Sequence, residues 1–180
     1  MIEAGGAVLA WFGASLIVLS DGRRGLALGL GCIGLGMCAV VWPAGPGLAA
    51  GALALGGLIA AVQRLRNGSP GWAIMPAGST PQLVLCVGAG LLSLWIGASV
   101  TSGGGASLRI AVLAVIGMMG ARVLGARQPD VVLSCVAGLV LAVAAASSLA
   151  ASSPETVVFL GGAVIAATSS FIRLREPSAA

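Results

Sequence analysis

The side chains here that can carry charge or act as nucleophiles are five acids, four cysteines and nine arginines. Histidine, lysine and tyrosine do not occur. Imidazole-based haem ligation, Ser-His catalysis and the usual zinc sites are thereby removed. Without lysine there is no Schiff base, so a retinal-type pigment is excluded as well. The acids, Glu3, Asp21, Asp130, Glu155 and Glu176, all stand at the ends of apolar segments or between them. An intramembrane aspartyl protease or a proton relay needs a carboxylate at mid-membrane depth. This inventory predicts a protein that is not an enzyme and holds no metal or cofactor.

Cys32, Cys38, Cys86 and Cys135 all lie inside apolar segments. None has a neighbouring histidine, and the separation of Cys32 from Cys38 is not a metal-ligand spacing. They read as small apolar fillers rather than a redox pair or lipid attachment sites. The run Gly103-Gly104-Gly105 lacks the following Lys-Ser/Thr of a phosphate-binding loop and reads as a turn.

Two features stand out as contacts for a partner or for lipid. Arg109 lies one turn into an apolar segment, at the end opposite to most other arginines. It either snorkels to the headgroups or meets an anionic group, with Glu155 as its expected ion-pair partner. The second is the longest connection, 64–82, where Trp72, Ile74 and Met75 sit among prolines and glycines. Such a peptide lies in the headgroup zone or docks onto a partner protein.

The elements that carry these residues follow from composition. The chain is 58% hydrophobic and 8% charged, with a mean hydropathy of +1.09. Soluble domains carry about a quarter charged residues, so a water-soluble fold is excluded. Continuous apolar segments without strand alternation predict helices. We place them at 5–20, 25–42, 47–63, 83–100, 107–124, 131–149 and 157–172. The expected fold is all-α, a polytopic transmembrane bundle of about seven helices forming a single domain over 1–180. At about 20 residues per span, the 180 residues leave no room for a sizeable domain outside the membrane.

Eight of the nine arginines follow alternate segments: Arg23 and Arg24, Arg64 and Arg66, Arg122 and Arg127, Arg173 and Arg175. The intervening connections have no basic residue. The positive-inside bias then predicts an N-out, C-in topology, with these arginines as anchors among anionic headgroups. They are not a nucleic-acid surface. The first segment has Glu3 before it and Asp21-Gly22-Arg23-Arg24 after it, the reverse of a secretory signal, and reads as an uncleaved helix. Trp42 and Trp95 fall near the outer boundary and Trp72 near the inner one, as in an aromatic belt, while Trp11 reads as packing.

Small residues recur every four positions in most segments. The rows are Gly6/Ala10/Ala14, Ala52/Gly56/Ala60, Ala89/Ser93/Gly97, Gly117/Ala121/Gly125, Ser134/Gly138/Ala142/Ala146/Ala150 and Gly162/Ala166/Ser170. Such rows predict close helix packing rather than a wide pore. The segments also pair as hairpins at about 25–66, 81–127 and 130–175, with one extra helix at the N-terminus.

The stretch 25–66, GLALGLGCIGLGMCAVVWPAGPGLAAGALALGGLIAAVQRLR, resembles one unit of the HdeD-like acid-resistance membrane proteins. Those proteins have three helical hairpins with Gly-rich helices and basic hairpin ends. The resemblance implies a stress-related membrane protein without catalytic residues. Two functions are therefore expected. One is a structural or accessory subunit in the bacterial cytoplasmic membrane, partnered by the lipid bilayer and by other membrane subunits or further copies of itself. The alternative is a small-solute transporter or channel component, with Ser134, Ser147, Ser148, Thr168, Ser169 and Ser170 along a polar path.

Overall fold

A computed structural model describes residues 1–43, 47–67, 71–72, 74, 80–99, 105–126, 128–150, 156–169 and 171. Seven helices account for nearly all of them: α1 (Ile2–Leu19), α2 (Arg23–Val41), α3 (Gly47–Arg66), α4 (Thr80–Ser99), α5 (Ala106–Gly125), α6 (Pro129–Ala150) and α7 (Thr156–Ser169). Among the described residues five of these, α1, α2, α4, α5 and α6, are long and apolar enough to cross a membrane. The chain is thus an all-helical, multi-pass membrane bundle, and the expected boundaries hold to within a few residues.

Local chemistry sets the ends. Pro81 and Pro129 lie in the first turns of α4 and α6, where a missing N–H leaves no bond unmade. Pro43 follows the end of α2 and stops it from continuing. Gly105 takes a left-handed φ of 92° just before α5, a conformation that disfavours any residue with a Cβ. Asp130 in the first turn of α6 complements the positive end of the helix dipole.

Within the bundle α2 is the hub. It packs on α1, α3, α5 and α6, and 67% of its span is buried. Glycine makes this possible. A methyl group added to Gly34 would lie 2.9 Å from the Cα of Gly57 in α3. One added to Gly13 would lie 2.6 Å from the Gly29 carbonyl, and one on Gly36 would lie 2.7 Å from the Gly6 carbonyl. The α1–α2 and α2–α3 backbones therefore touch directly. Each hairpin expected from the sequence, α2–α3, α4–α5 and α6–α7, is a packed pair. The N-terminal helix is an integral part of the bundle, packed on α2 and α5.

The small-residue rows fare unevenly. Gly6 and Ala10 face α2, Gly56 meets Ala163 of α7, Gly97 meets Ile110, and Gly162 meets Ala144. The α5 row does not hold. Gly117 and Gly125 are exposed, and a methyl group added to either would meet no atom within 4 Å, so this row faces away from the bundle. In a chain this rich in glycine and alanine, spacing alone cannot choose the packed face. Of the α2 glycines, which matter most, only Gly25 and Gly29 stand four residues apart; Gly31, Gly34 and Gly36 form no such row.

Large apolar side chains cover the outside, among them Leu28, Leu55, Leu91, Leu92, Trp95 and Leu124. Lipid solvates them as well as a core would, so association rests on packing density. Replacing Gly34 by valine should therefore lower stability by about 1–3 kcal/mol or more through overpacking. Gly120→Ala, where nothing lies within 4 Å, should cause no loss. Thermal unfolding in detergent micelles compares the two, and equal losses would refute the contact as the determinant.

Candidate functional site

Polar groups gather at the end of the bundle where α1, α3 and α5 finish and α2, α4 and α6 begin. Arg122, in the last turn of α5, donates through Nη2 to Asp21 Oδ1 in the α1–α2 turn. Gln82 of α4 joins this pair. With its amide oriented to match donors to acceptors, the oxygen accepts from Arg122 Nη1 at 2.9 Å and the nitrogen donates to the Val18 carbonyl at 3.3 Å. Arg64, in the last turn of α3, donates through Nη1 to Asp130 Oδ1 at 2.9 Å. Ser134 Oγ donates to the Asp130 carbonyl at 2.7 Å, within the first turns of α6. Elements distant in sequence are thus tied at one height.

The two arginines depart from the expectation of headgroup anchors. The Arg64 side chain is 3% exposed and that of Arg122 9% exposed. Each turns inward because a carboxylate from another element offers better compensation than a distant phosphate. The carboxylates stay wetter, Asp130 at 40% and Asp21 at 30%. Among the described residues, Arg64 Nε and Nη2, Arg122 Nε, Gln63 Oε1 and Ser20 Oγ are buried without a hydrogen-bond partner. Arg24 and Arg66 do remain exposed at this end. Arg127, Arg173 and Arg175 lie outside the described residues.

Part of the 64–82 connection folds back under the α1–α2 turn. The Arg24 N–H donates to the Gly71 carbonyl at 3.4 Å, and Ser20 and Ile74 form an isolated antiparallel bridge. Gly22 permits this contact, since a methyl there would lie 2.5 Å from the Gly71 oxygen. Trp72 and Ile74 are each about half exposed, so the loop is fastened to its own chain by backbone and shows its apolar side chains outward. Met75 lies outside the described residues.

Arg109 stands apart, partly buried in the first helical turn of α5 at the other end. Among the described residues it has no ion-pair partner; Glu155, expected as its mate, lies outside them. The structure does not bring Arg109 together with Trp72 and Ile74.

The remaining candidates are inward-directed or self-satisfied. Ser147, Ser148 and Ser169 donate to carbonyls three residues back in their own helices, and Thr168 to those of Val164 and Ile165. Ser134 does the same with a carbonyl four back, and Ser170 lies outside the described residues. These hydroxyls satisfy backbone carbonyls of their own helices. Trp11, expected to pack, also donates from Nε1 to the Cys86 carbonyl at 3.1 Å and so ties α1 to α4. Gly90 makes room for that indole.

Sequence reading misses Gln82, Gln63 and Ser20, and it misses the pairing of Asp21 and Asp130 with specific arginines. A signal is present: both acids sit in the arginine-bearing turns, not in the opposite ones. No family model, curated protein or solved structure matches this chain.

The burial asymmetry gives a sharp expectation. Asp130→Asn leaves a buried guanidinium uncompensated and should cost about 3 kcal/mol. Arg64→Met leaves a carboxylate that water reaches, removes two unpartnered donors, and should cost less than about 1 kcal/mol. Denaturation of both variants and of the double variant measures this; a larger loss for Arg64→Met would contradict it.

Proposed function

We propose that this protein is a non-enzymatic accessory subunit of a bacterial cytoplasmic-membrane assembly, in the stress-related setting that the HdeD-like resemblance implies. The single observation that carries the reading is the position of α4. Among the described residues it packs only on α5 and α1, and 17% of its span is buried, against 44–67% for the other four long apolar helices. Val84, Val87, Leu91, Leu92, Leu94 and Trp95 give it a broad, continuous apolar face. A bundle whose other helices close on one another presents α4 as its free edge for a partner helix.

The rest of the site supports the same reading. Asp21 and Asp130 are engaged by arginines, which leaves them poorly suited to proton transfer. Their pairs hold helix ends in register. Ser134, Ser147, Ser148, Thr168 and Ser169 bond to their own helices, which weighs against a transport path.

Site-specific photo-crosslinking in intact membranes tests the proposal. A photoreactive residue at Leu91 should give a discrete adduct with one other membrane protein or a second copy. The same probe at exposed Val164 on α7 should not. Adducts with lipid alone at Leu91, or solute flux through liposomes holding the purified protein, would overturn it.

A further inference from the structure

The outer wall between α2 and α3 carries a groove of about 470 Å³. Ala27, Leu28, Gly31 and Leu35 of α2 form one side, and Leu58 and Leu65 of α3 belong to the other. Its arginine-side end is marked by Arg24 and by Trp72 of the folded-back loop. Arg24 and Leu35 are eleven residues apart, which is about 16 Å of helix. That matches half of a hydrocarbon core about 30 Å thick. The groove is therefore one leaflet deep, with a cation and an indole at the level of the headgroups.

Three further observations fit one occupant. Arg24 is exposed and has no ion-pair partner among the described residues. The acid closest in sequence, Asp21, is engaged by Arg122. The groove has room beside Gly31: a methyl group there would make ordinary contact with Ala61 and Leu58 alone, at 3.9 and 4.0 Å. We propose that this groove is a binding site for an anionic phospholipid of the arginine-side leaflet. One acyl chain lies along α2 and α3, and the phosphate is held by Arg24 beside Trp72. A neighbouring groove shares Leu58 and Val62 as its wall and ends in Arg66, so the second chain has a seat on the other flank of α3. The largely apolar groove between α1, α4 and α5 is lined by no charged residue that could select a headgroup.

The backbone contacts on either side of Trp72, at Gly71 and Ile74, make the site part of the fold. The hydrogen bond from Arg24 N–H to Gly71 fixes the loop beside the residue that would hold the phosphate. Lipid at this place would then stabilise the α1–α2 turn and the loop together.

The test uses the full chain, purified in detergent and titrated with dioleoylphosphatidylglycerol, dioleoylphosphatidylcholine or inorganic phosphate. Thermal unfolding and native mass spectrometry are the readouts. Phosphatidylglycerol should raise Tm by about 3 °C and remain bound after delipidation. R24Q should lose about fivefold of the preference over phosphatidylcholine, and R24K should keep it. G31L, whose new side chain fills the groove, should lose binding of both lipids while remaining folded by circular dichroism. An R24Q variant with full preference, a G31L variant that still retains lipid, or equal stabilisation by inorganic phosphate would each overturn the proposal. So would a change of oligomeric state in G31L with lipid binding intact, which would assign the groove to a second copy. Should G31L fail to fold, the R24Q and R24K pair decides the matter.

Discussion

Direct backbone contact through glycine is the constraint on which this bundle depends. In lipid, a leucine gains nothing by leaving the membrane for the interior, so helices associate only where atoms pack more closely than acyl chains can. The Gly34–Gly57 and Gly13–Gly29 contacts provide that closeness around α2. With α2 locked to α1 and α3, α5 and α6 pack on it as well, and α3 in turn takes α7 through Gly56. Large side chains then fill what the close contacts leave, Phe159, Ile33, Met37, Met118 and Leu141 inside the bundle, while others such as Leu28, Leu91 and Trp95 face lipid.

Close packing leaves the helix ends to be set by charge. Arg64–Asp130 and Arg122–Asp21 join helix ends that belong to different hairpins. Buried pairs of this kind add little net stability over apolar replacements, but breaking one partner is costly. Their consequence here is alignment: they fix α1, α3, α5 and α6 at one level, next to the loop that Gly22 and Arg24 hold. The grooves open between α2, α3 and α7 follow from the same arrangement, because small residues bring helices close without filling the outer wall. Helix α4, packed on α1 and α5 alone among the described residues, stays at the margin.

The helices are almost fully legible in the sequence. Apolar runs, the prolines that start or stop them and the glycine turns are local signals, and the boundaries move by only a few residues. The hairpin pairs are legible too, because short connections force neighbours to be antiparallel. Faces are less so. Gly6, Ala10 and Gly56 match their expected role, whereas Gly117 and Gly125 point away from the bundle. Of the hub glycines, Gly29 has a four-residue mate in Gly25, but Gly34 and Gly36 have none, because the α2 glycines serve two neighbours on two faces. Half of the candidate site is visible as isolated residues, and none of its pairings is.

The sequence by itself determined an all-helical membrane chain with arginines at alternate ends, since hydropathy and charge are summed along the chain and need no partner. It also removed histidine- and lysine-based chemistry outright. Only the tertiary structure decided that Arg64 and Arg122 turn inward to Asp130 and Asp21 while Arg24 stays exposed beside Trp72. The reason is that an arginine's role depends on which carboxylate reaches it. The pairs here span 66 and 101 positions of sequence, and only helix packing brings such positions together.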